Sequence, residues 1–446
     1  MLLRNVGESD TLFAMTSITE IAKNARRAGR RLATLDAATK NAALARIGEE
    51  LNAHANEVFS ANSRDLAHAE ENHLAAPLKK RLAVNEDKLA EIIRGVEALR
   101  ALPEPVGRVL EARELDTGLE LYRKSAPIGV IGVVFESRPD ALVQISTLCL
   151  KSGNAVILKG GSEAAETNRA LARIIGTASL SAGLPDGWIS LLETREDVGL
   201  MLREDAYIDL IVPRGSNEFV RHVMNSTRIP VLGHADGVCH VYVDADADMT
   251  CALDIVDDSK TQYVAVCNAA ETILVHRAVA EDFLPAIAER FAGRVKILGC
   301  PETRRILPAV DAASDDDWSA EYLDYLVAVR VVDDVIAAVE HINTYGSGHT
   351  DAIVTTDRAR AEWFMTAVDS ASVFHNCSTR FADGYRYGLG AELGIATGKI
   401  HARGPVGLDG LLSYKWQMYG AGHIVSDYTG AAARPFTHRA LDAREQ

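Results

Sequence analysis

The sequence predicts an α/β fold built on mostly parallel sheets, and three observations carry that reading. The first hundred residues have helical periodicity. From Gly129 to His375, short β-rich runs alternate with helical stretches. A chain of 446 residues also has enough length for two or three domains, each with its own core.

At the N-terminal end, Leu44, Ile47, Leu51, Ala55 and Val58 recur at three- and four-residue steps, which places them on one helix face. The period changes near Arg108. Val109 to Leu115 and Leu119 to Arg123 have strand composition and flank Asp116-Thr117-Gly118, a hairpin turn. Gly129 to Phe135 (GVIGVVF) is an apolar run of the kind found in a strand covered on both faces. Further strands are expected at Ala155 to Leu158, Trp188 to Leu192, Ile208 to Val212, His240 to Val243 and Glu271 to Val275. Val327 to Val332, Ala352 to Thr355 and Ser372 to His375 continue the series, with helices between. Repeated units of this kind give parallel sheets sandwiched by helices. From about Ala431 onward the chain reads as a loose or partner-docked tail.

Composition narrows the function classes. With 62 acidic against 47 basic residues the formal charge is -15, which argues against nucleic-acid or anionic-membrane partners. The most apolar stretch, Ala126 to Phe135, is half of the roughly 20 residues a bilayer requires. Met1 to Met15 carries Arg4, Glu8 and Asp10 and lacks the apolar block of a secretory signal, so a cytoplasmic enzyme is expected. No two of the six cysteines form a CxxC pair, so the spacing suggests neither a metal site nor a dithiol redox motif.

Four stretches carry chemistry. KGGSE, Lys159 to Glu163, follows the strand AVIL directly. Gly160 and Gly161 would let backbone approach a ligand, the next helix offers free N–H groups, and Lys159 adds a charge for phosphate. The plain alternative is a tight turn. VPRGS, Val212 to Ser216, repeats the strand–turn–helix pattern, and Arg214, Gly215 and Ser216 suit phosphate or sugar oxygens, although Gly-Ser is also an ordinary helix start. Together the two turns could edge one crevice at the strand ends. CNAAET, Cys267 to Thr272, puts a cysteine between a helical stretch and a strand; it is either a small buried hydrophobe or a nucleophile for acyl carbons and aldehydes. The last stretch, Asn376 to Pro405, is glycine-rich and holds Arg380, Arg386, Lys399, His401 and Arg403 against Asp383 and Glu392. On an acidic protein such a cationic loop suits a carboxylate- or phosphate-bearing substrate, or else is a connector held by its own salt bridges.

The blocks VFESRPDA, SGNAVILKGGSEA, CNAAET, STRFADGYRYGLGAE and HARGPVGL, in this order, resemble the γ-glutamyl phosphate reductases of the aldehyde dehydrogenase superfamily. The match runs from about Thr16 to about Tyr428. It implies an aldehyde-dehydrogenase-like α/β fold of two parallel-sheet lobes, cofactor and catalytic, plus a protruding oligomerisation β-hairpin. Its implied parts are a cofactor-binding domain at 16–106, 128–260 and 395–415, the hairpin at 107–127, a catalytic domain at 261–394, and a C-terminal oligomerisation strand and tail at 416–446. The implied reaction is NADPH-dependent reduction of L-glutamyl 5-phosphate to L-glutamate 5-semialdehyde with release of phosphate, the second step of proline synthesis from glutamate. The expected partners are further copies in a homo-dimer or tetramer, through the hairpin edge, and a transient complex with glutamate 5-kinase.

The resemblance also assigns roles. Cys267 is the nucleophile that forms a thioester, and the backbone N–H of Cys267 or Asn268 meets the oxyanion. Lys159, Gly160, Gly161, Ser162, Arg214, Gly215 and Ser216 would hold the adenosine and pyrophosphate of NADPH/NADP, and Glu321 the nicotinamide ribose. Arg380 and Asp383 would take the α-amino and carboxylate groups of the substrate, with Arg138 or Arg403 near the phosphate; Asn376, Ser378, Thr379 and His401 complete the substrate set. Ser137 stands where the wider superfamily has an asparagine that helps with the oxyanion. Relatives that hydrolyse a thioester keep a general-base glutamate in a stretch that reads VLGHADG here, Val231 to Gly237, without glutamate. Its absence fits an enzyme whose leaving group is phosphate and whose thioester must be kept from water. The rival readings are oxidation of another aldehyde and a catalytically silent scaffold on the same fold.

Overall fold

The computed structural model describes residues 17–442 apart from 75, 137 and 235, so Ser137 lies outside the described residues. Helices Ile18–Leu32, Ala37–Ala53, Ala55–Glu71 and Glu86–Ala101 open the chain. The expected continuous stripe is broken at His54, where one helix ends and the next begins. Leu44, Ile47, Leu51 and Val58 are still buried, but Ala55, at the break, is only half-buried.

A parallel sheet of four strands follows, in the spatial order Ile189–Leu192, Ala155–Lys159, Val130–Phe135, Leu210–Arg214. Every residue of Val130–Phe135 and Ala155–Lys159 is buried, which explains why the sequence there runs apolar without alternation. Successive side chains feed separate clusters: Ile131, Val133 and Phe135 pack with the N-terminal helices, whereas Val130 and Val134 pack with Ile18 and Ala22 on the other face. The chain winds outward from Val130–Phe135 on one side and then returns to Leu210–Arg214 on the other. That reversal opens a crevice at the carboxyl ends of these two strands. In register, Val134 faces both Lys159 and Pro213, and Phe135 faces Arg214, so both glycine turns leave the same edge of the sheet.

The second parallel sheet has seven strands, ordered Asp311–Ala312, Lys296–Gly299, Leu326–Val332, Ala270–His276, Cys239–Val243, Thr350–Val354, Ser372–His375. The first two of these were not anticipated. Its faces are likewise split between two clusters, one around Val241, Ile273 and Val329 and the other around Tyr242, Leu274 and Ile353.

The hairpin Val109–Asp116/Leu119–Pro127 turns at Gly118, whose φ of +74° suits glycine. It is not an open edge within this chain. Leu119–Pro127 pairs along its length with the C-terminal strand Leu412–Tyr419, from Leu412↔Pro127 to Tyr419↔Glu120. On its other side Val109–Asp116 receives Arg439–Ala440. The tail is therefore docked on its own hairpin, where Thr437 N–H donates to Leu115 O at 2.8 Å and Leu441 N–H to Ala112 O at 3.0 Å. Among the described residues no helix is long and apolar enough to cross a membrane.

Candidate active site

Cys267 sits in the loop between helix Met249–Thr261 and strand Ala270–His276. A fully buried ion pair braces that loop: Lys260, at the helix end, holds Glu271, at the strand start, with Nζ–Oε2 of 2.6 Å. The other Glu271 oxygen accepts from Leu323 N–H at 3.2 Å, which ties the segment bearing Glu321 to the same brace. Gly237 packs against the loop so closely that a Cβ there would lie 2.5 Å from Cys267 Cα and Cβ, so only glycine fits. Cys239 Sγ donates to Cys267 O at 3.1 Å.

Cys267 faces a cavity of about 320 Å³ whose wall also carries Arg214, Gly215, His234, Glu321 and Glu392. The smaller sheet contributes Arg214 and Gly215 from the carboxyl ends of its strands. The larger sheet contributes Cys267 from the amino ends. Burial pushes the Cys267 thiol up to about 12, and the carboxylates of Glu321 and Glu392 add to the rise, while a backbone hydrogen bond and Arg380 oppose it. The resting sulfur is therefore a protonated thiol.

Two neighbours of the sulfur escaped the sequence reading. His234 comes from VLGHADG, the stretch noted only for lacking glutamate; its Nδ1 meets Ile395 O at 2.8 Å, and burial lowers its pKa. His349 is fully buried behind it, with the rings edge to face at 4.9 Å. One ring nitrogen of each and Cys267 Sγ all lie within 4.8 Å of one another. Glu392 was counted in the cationic loop but not as a wall residue; its Oε2 accepts from Gly384 N–H at 2.6 Å, and burial raises its pKa. Glu321 is held by Asn217, whose Nδ2 donates to Glu321 Oε2 at 2.7 Å and to Asp236 Oδ1 at 2.8 Å. Nothing in the spacing of these residues announces that they meet.

The turn Arg214-Gly215-Ser216 runs into helix Asn217–Ser226, whose first turn is capped by the Ser216 hydroxyl. A Cβ on Gly215 would lie 3.1 Å from Phe219 Cδ1 and 2.8 Å from Glu136 Oε1, so the turn packs tightly against those two side chains and suits glycine. Ser216 N–H donates to Glu136 Oε1 at 3.3 Å. Burial, and Arg138 nearby, push the Arg214 pKa down. Lys159, buried at its strand end and bonded to Gly160 O, does not line the Cys267 cavity. Its turn lies one strand further out. Gly160 is packed on Asn168, and Ser162 is exposed at the start of a short 3₁₀ turn.

The predicted substrate residues divide. Arg380 is 8% exposed, its Nε donates to Gln262 Oε1 at 3.0 Å, and among the described residues no carboxylate pairs with it. Ser378 accepts from Arg380 N–H at 3.2 Å, and Thr379 N–H donates to Ser259 Oγ at 3.2 Å. Asn268 Nδ2 donates to Ala382 O at 2.9 Å, which anchors its side chain on the segment after Arg380. Asp383 accepts from Arg386 N–H at 3.0 Å. Arg138 pairs with Asp140 at 3.2 Å and borders an adjoining cavity with Glu136 and Arg214.

Asn376, His401 and Arg403 are not brought to Cys267. The Asn376 amide closes on Thr355 N–H and O at 3.0 and 2.9 Å, which holds its own left-handed turn (φ +53°). The cationic segment folds back as the pair Gly394–Ala396/Gly404–Val406. Its tip is thereby carried away, with Arg403 on Asp369 at 3.1 Å and exposed His401 on Gly410 O at 2.8 Å. For these residues the salt-bridged connector is the better description.

Comparison with known proteins agrees with this geometry. The sequence model of the aldehyde dehydrogenase family matches residues 13–316. The γ-glutamyl phosphate reductase of Pelotomaculum thermopropionicum is 57% identical over 424 residues, 95% of this chain and 97% of that protein. The crystal structure of the γ-glutamyl phosphate reductase of Thermotoga maritima matches with a TM-score of 0.89 at 39% identity, covering 92% of this chain and 99% of that one. An acetylating aldehyde dehydrogenase of Geobacillus thermoglucosidasius, 16% identical with a TM-score of 0.61 over 91% of this chain, shares the fold alone. Fold, thiol-lined crevice and sequence relatives converge: the chain belongs to the γ-glutamyl phosphate reductases of the aldehyde dehydrogenase family.

Proposed function

We propose that this protein reduces L-glutamyl 5-phosphate to L-glutamate 5-semialdehyde with NADPH, through a thioester on Cys267, as the second step of proline synthesis. The observation that carries this reading is the shared cavity, in which the Cys267 thiol meets the Arg214-Gly215 turn and Glu321. The glycine turn at Gly215, the helix start behind it and the Glu321 carboxylate suit the phosphates and ribose of a nicotinamide dinucleotide. When bound there, NADPH supplies the hydride.

The chain's own residues do the rest. The neutral His234 ring beside Cys267 accepts the thiol proton as the sulfur attacks the acyl carbon. The C–O bond to phosphate breaks as the C–S bond forms, and the backbone N–H groups at Cys267 and Asn268 hold the oxyanion between. Arg380, buried without a carboxylate partner, is the cation for the substrate's carboxylate, with Asp383 for its amino group and Arg138 nearer the phosphate. No glutamate stands in Val231–Gly237 to activate water, so the thioester persists until it is reduced.

The test runs the reaction backwards. Oxidation of glutamate semialdehyde with NADP should depend on inorganic phosphate, and acid-quenched protein should carry a glutamyl adduct on the Cys267 peptide. Phosphate-independent oxidation would instead favour an ordinary aldehyde dehydrogenase.

Assembly as a homo-dimer or tetramer is supported at the sheet edge. Tyr414, Trp416 and Met418 alternate along the outer strand Leu412–Tyr419 and are 52%, 49% and 57% exposed. Trp416→Lys should lower the sedimenting mass. The lability of an acyl phosphate favours a transient complex with glutamate 5-kinase, and the thiol chemistry suits the reducing cytoplasm.

A further inference from the structure

Three segments far apart in the chain bring His234, Cys267 and His349 together, and the set resembles a metal centre more than a proton relay needs. We propose that the imidazoles of His234 and His349 and the thiolate of Cys267 form a reversible, inhibitory site for a borderline-soft divalent cation, zinc above all.

Four observations carry it. One nitrogen of each ring and the Cys267 sulfur lie within 4.8 Å of one another. Tetrahedral zinc, with bonds of about 2.0–2.3 Å, needs its ligand atoms to close by about a further 1 Å, which side-chain torsions supply. Each ring is already oriented through its other nitrogen: His234 Nδ1 bonds Ile395 O at 2.8 Å, and His349 Nδ1 bonds Thr350 Oγ1 at 2.8 Å. Contacts of this kind orient metal-binding histidines, and in the tautomer with hydrogen on Nδ1 each ring offers its Nε2 lone pair. His349 Nε2 is buried without a hydrogen-bond partner, as are the Nε2 atoms of His240 and His341, but of the three only the His349 ring stands beside a sulfur and a second imidazole of the cavity wall. Finally, His234 and Cys267 line the cavity, which supplies an entry path.

Two nitrogens and one sulfur select zinc or cobalt over magnesium and calcium, and leave a fourth position for water. Cys239 stays outside the set, with its Sγ turned to Cys267 O at 3.1 Å. Binding forms a metal–sulfur bond and releases the thiol proton to solvent, with no change of oxidation state. A coordinated sulfur cannot attack an acyl carbon, so occupancy stops turnover.

Metal binding rests on the placement of the three side chains alone, and only its inhibitory effect rests on the proposed role of Cys267, so metal spectra test the site and turnover tests that role. Metal-free full-length protein titrated with Co²⁺ should show one sulfur-to-cobalt band in the near ultraviolet per chain, displaced by Zn²⁺. Zn²⁺ should inhibit turnover, and a chelator should restore it. Cys267→Ser should remove the band. His349→Gln and His234→Gln should each weaken Co²⁺ binding by at least about tenfold; His234 is at the cavity wall, so its variant serves if the buried one fails to fold. A band that survives Cys267→Ser, Co²⁺ affinity unchanged in the folded histidine variants, or turnover indifferent to Zn²⁺ would each overturn the proposal.

Discussion

The two parallel sheets address the same cavity from opposite ends. The smaller sheet presents the carboxyl ends of its strands, where a glycine turn and a helix start leave backbone N–H groups to bind with. The larger sheet presents amino ends, where Cys267 precedes its strand and Gly237 precedes the next. The turn of the smaller sheet is held by the Glu136 carboxylate and the Ser216 cap, whereas the Cys267 sulfur is fenced by an ion pair, a glycine contact and two imidazoles. Among the described residues, ten buried side-chain polar atoms make no hydrogen bond. Six belong to the larger body, in His240, Asn268, Thr272, His341, His349 and Thr379. Spare hydrogen-bonding capacity thus gathers in the body that carries Cys267.

If that contrast is right, substitutions on the two sides should fail differently. Cys267→Ser should cut turnover by at least about 10³-fold while NADPH binding, followed by its fluorescence, is unchanged. A variant that kept most of its rate would remove the sulfur from the reaction. Gly237→Ala touches no ligand, yet its methyl must displace the Cys267 loop; kcat should fall about 10²-fold, with little change in the Michaelis constant for NADPH. On the smaller sheet, Arg214→Ala should do the reverse, raising that Michaelis constant about tenfold while Cys267 alkylates at the wild-type rate.

The finest test concerns pH. With the Cys267 thiol pushed up to about 12 and the unperturbed value near 8.5, the thiolate fraction is small throughout the neutral range. Iodoacetamide labelling of the free enzyme should therefore climb about tenfold per pH unit from pH 7 to 10. A plateau below pH 9 would mean that the histidines hold a preformed thiolate.

Much of the fold was legible because its strands are short, apolar and bounded by turns; Ser372 to His375 was read to the residue. Lys296–Gly299, which opens on an exposed lysine and ends on glycine, and Asp311–Ala312, only two residues long, were missed because neither is an apolar β-branched run. Leu412–Tyr419 was also obscured, because its mixed aromatic and polar pattern makes sense only beside a hairpin almost three hundred residues earlier. At the site, Cys267, Arg214, Gly215 and Glu321 lie in local motifs that drew notice in the sequence, and the structure sets them on the wall of one cavity. His234, His349, Glu392 and Gly237 carry no such local mark. Arg403 and His401 misled, because a cation's charge is visible in sequence while the carboxylate or carbonyl that occupies it is not.

The sequence by itself determined the α/β class, the loop that carries Cys267 and the glycine turns, because each depends on interactions within a few residues of chain. Only the tertiary structure decided which histidines stand beside that sulfur and which arginines stay unpaired. Those outcomes depend on distances between remote segments, which packing sets and local pattern does not encode.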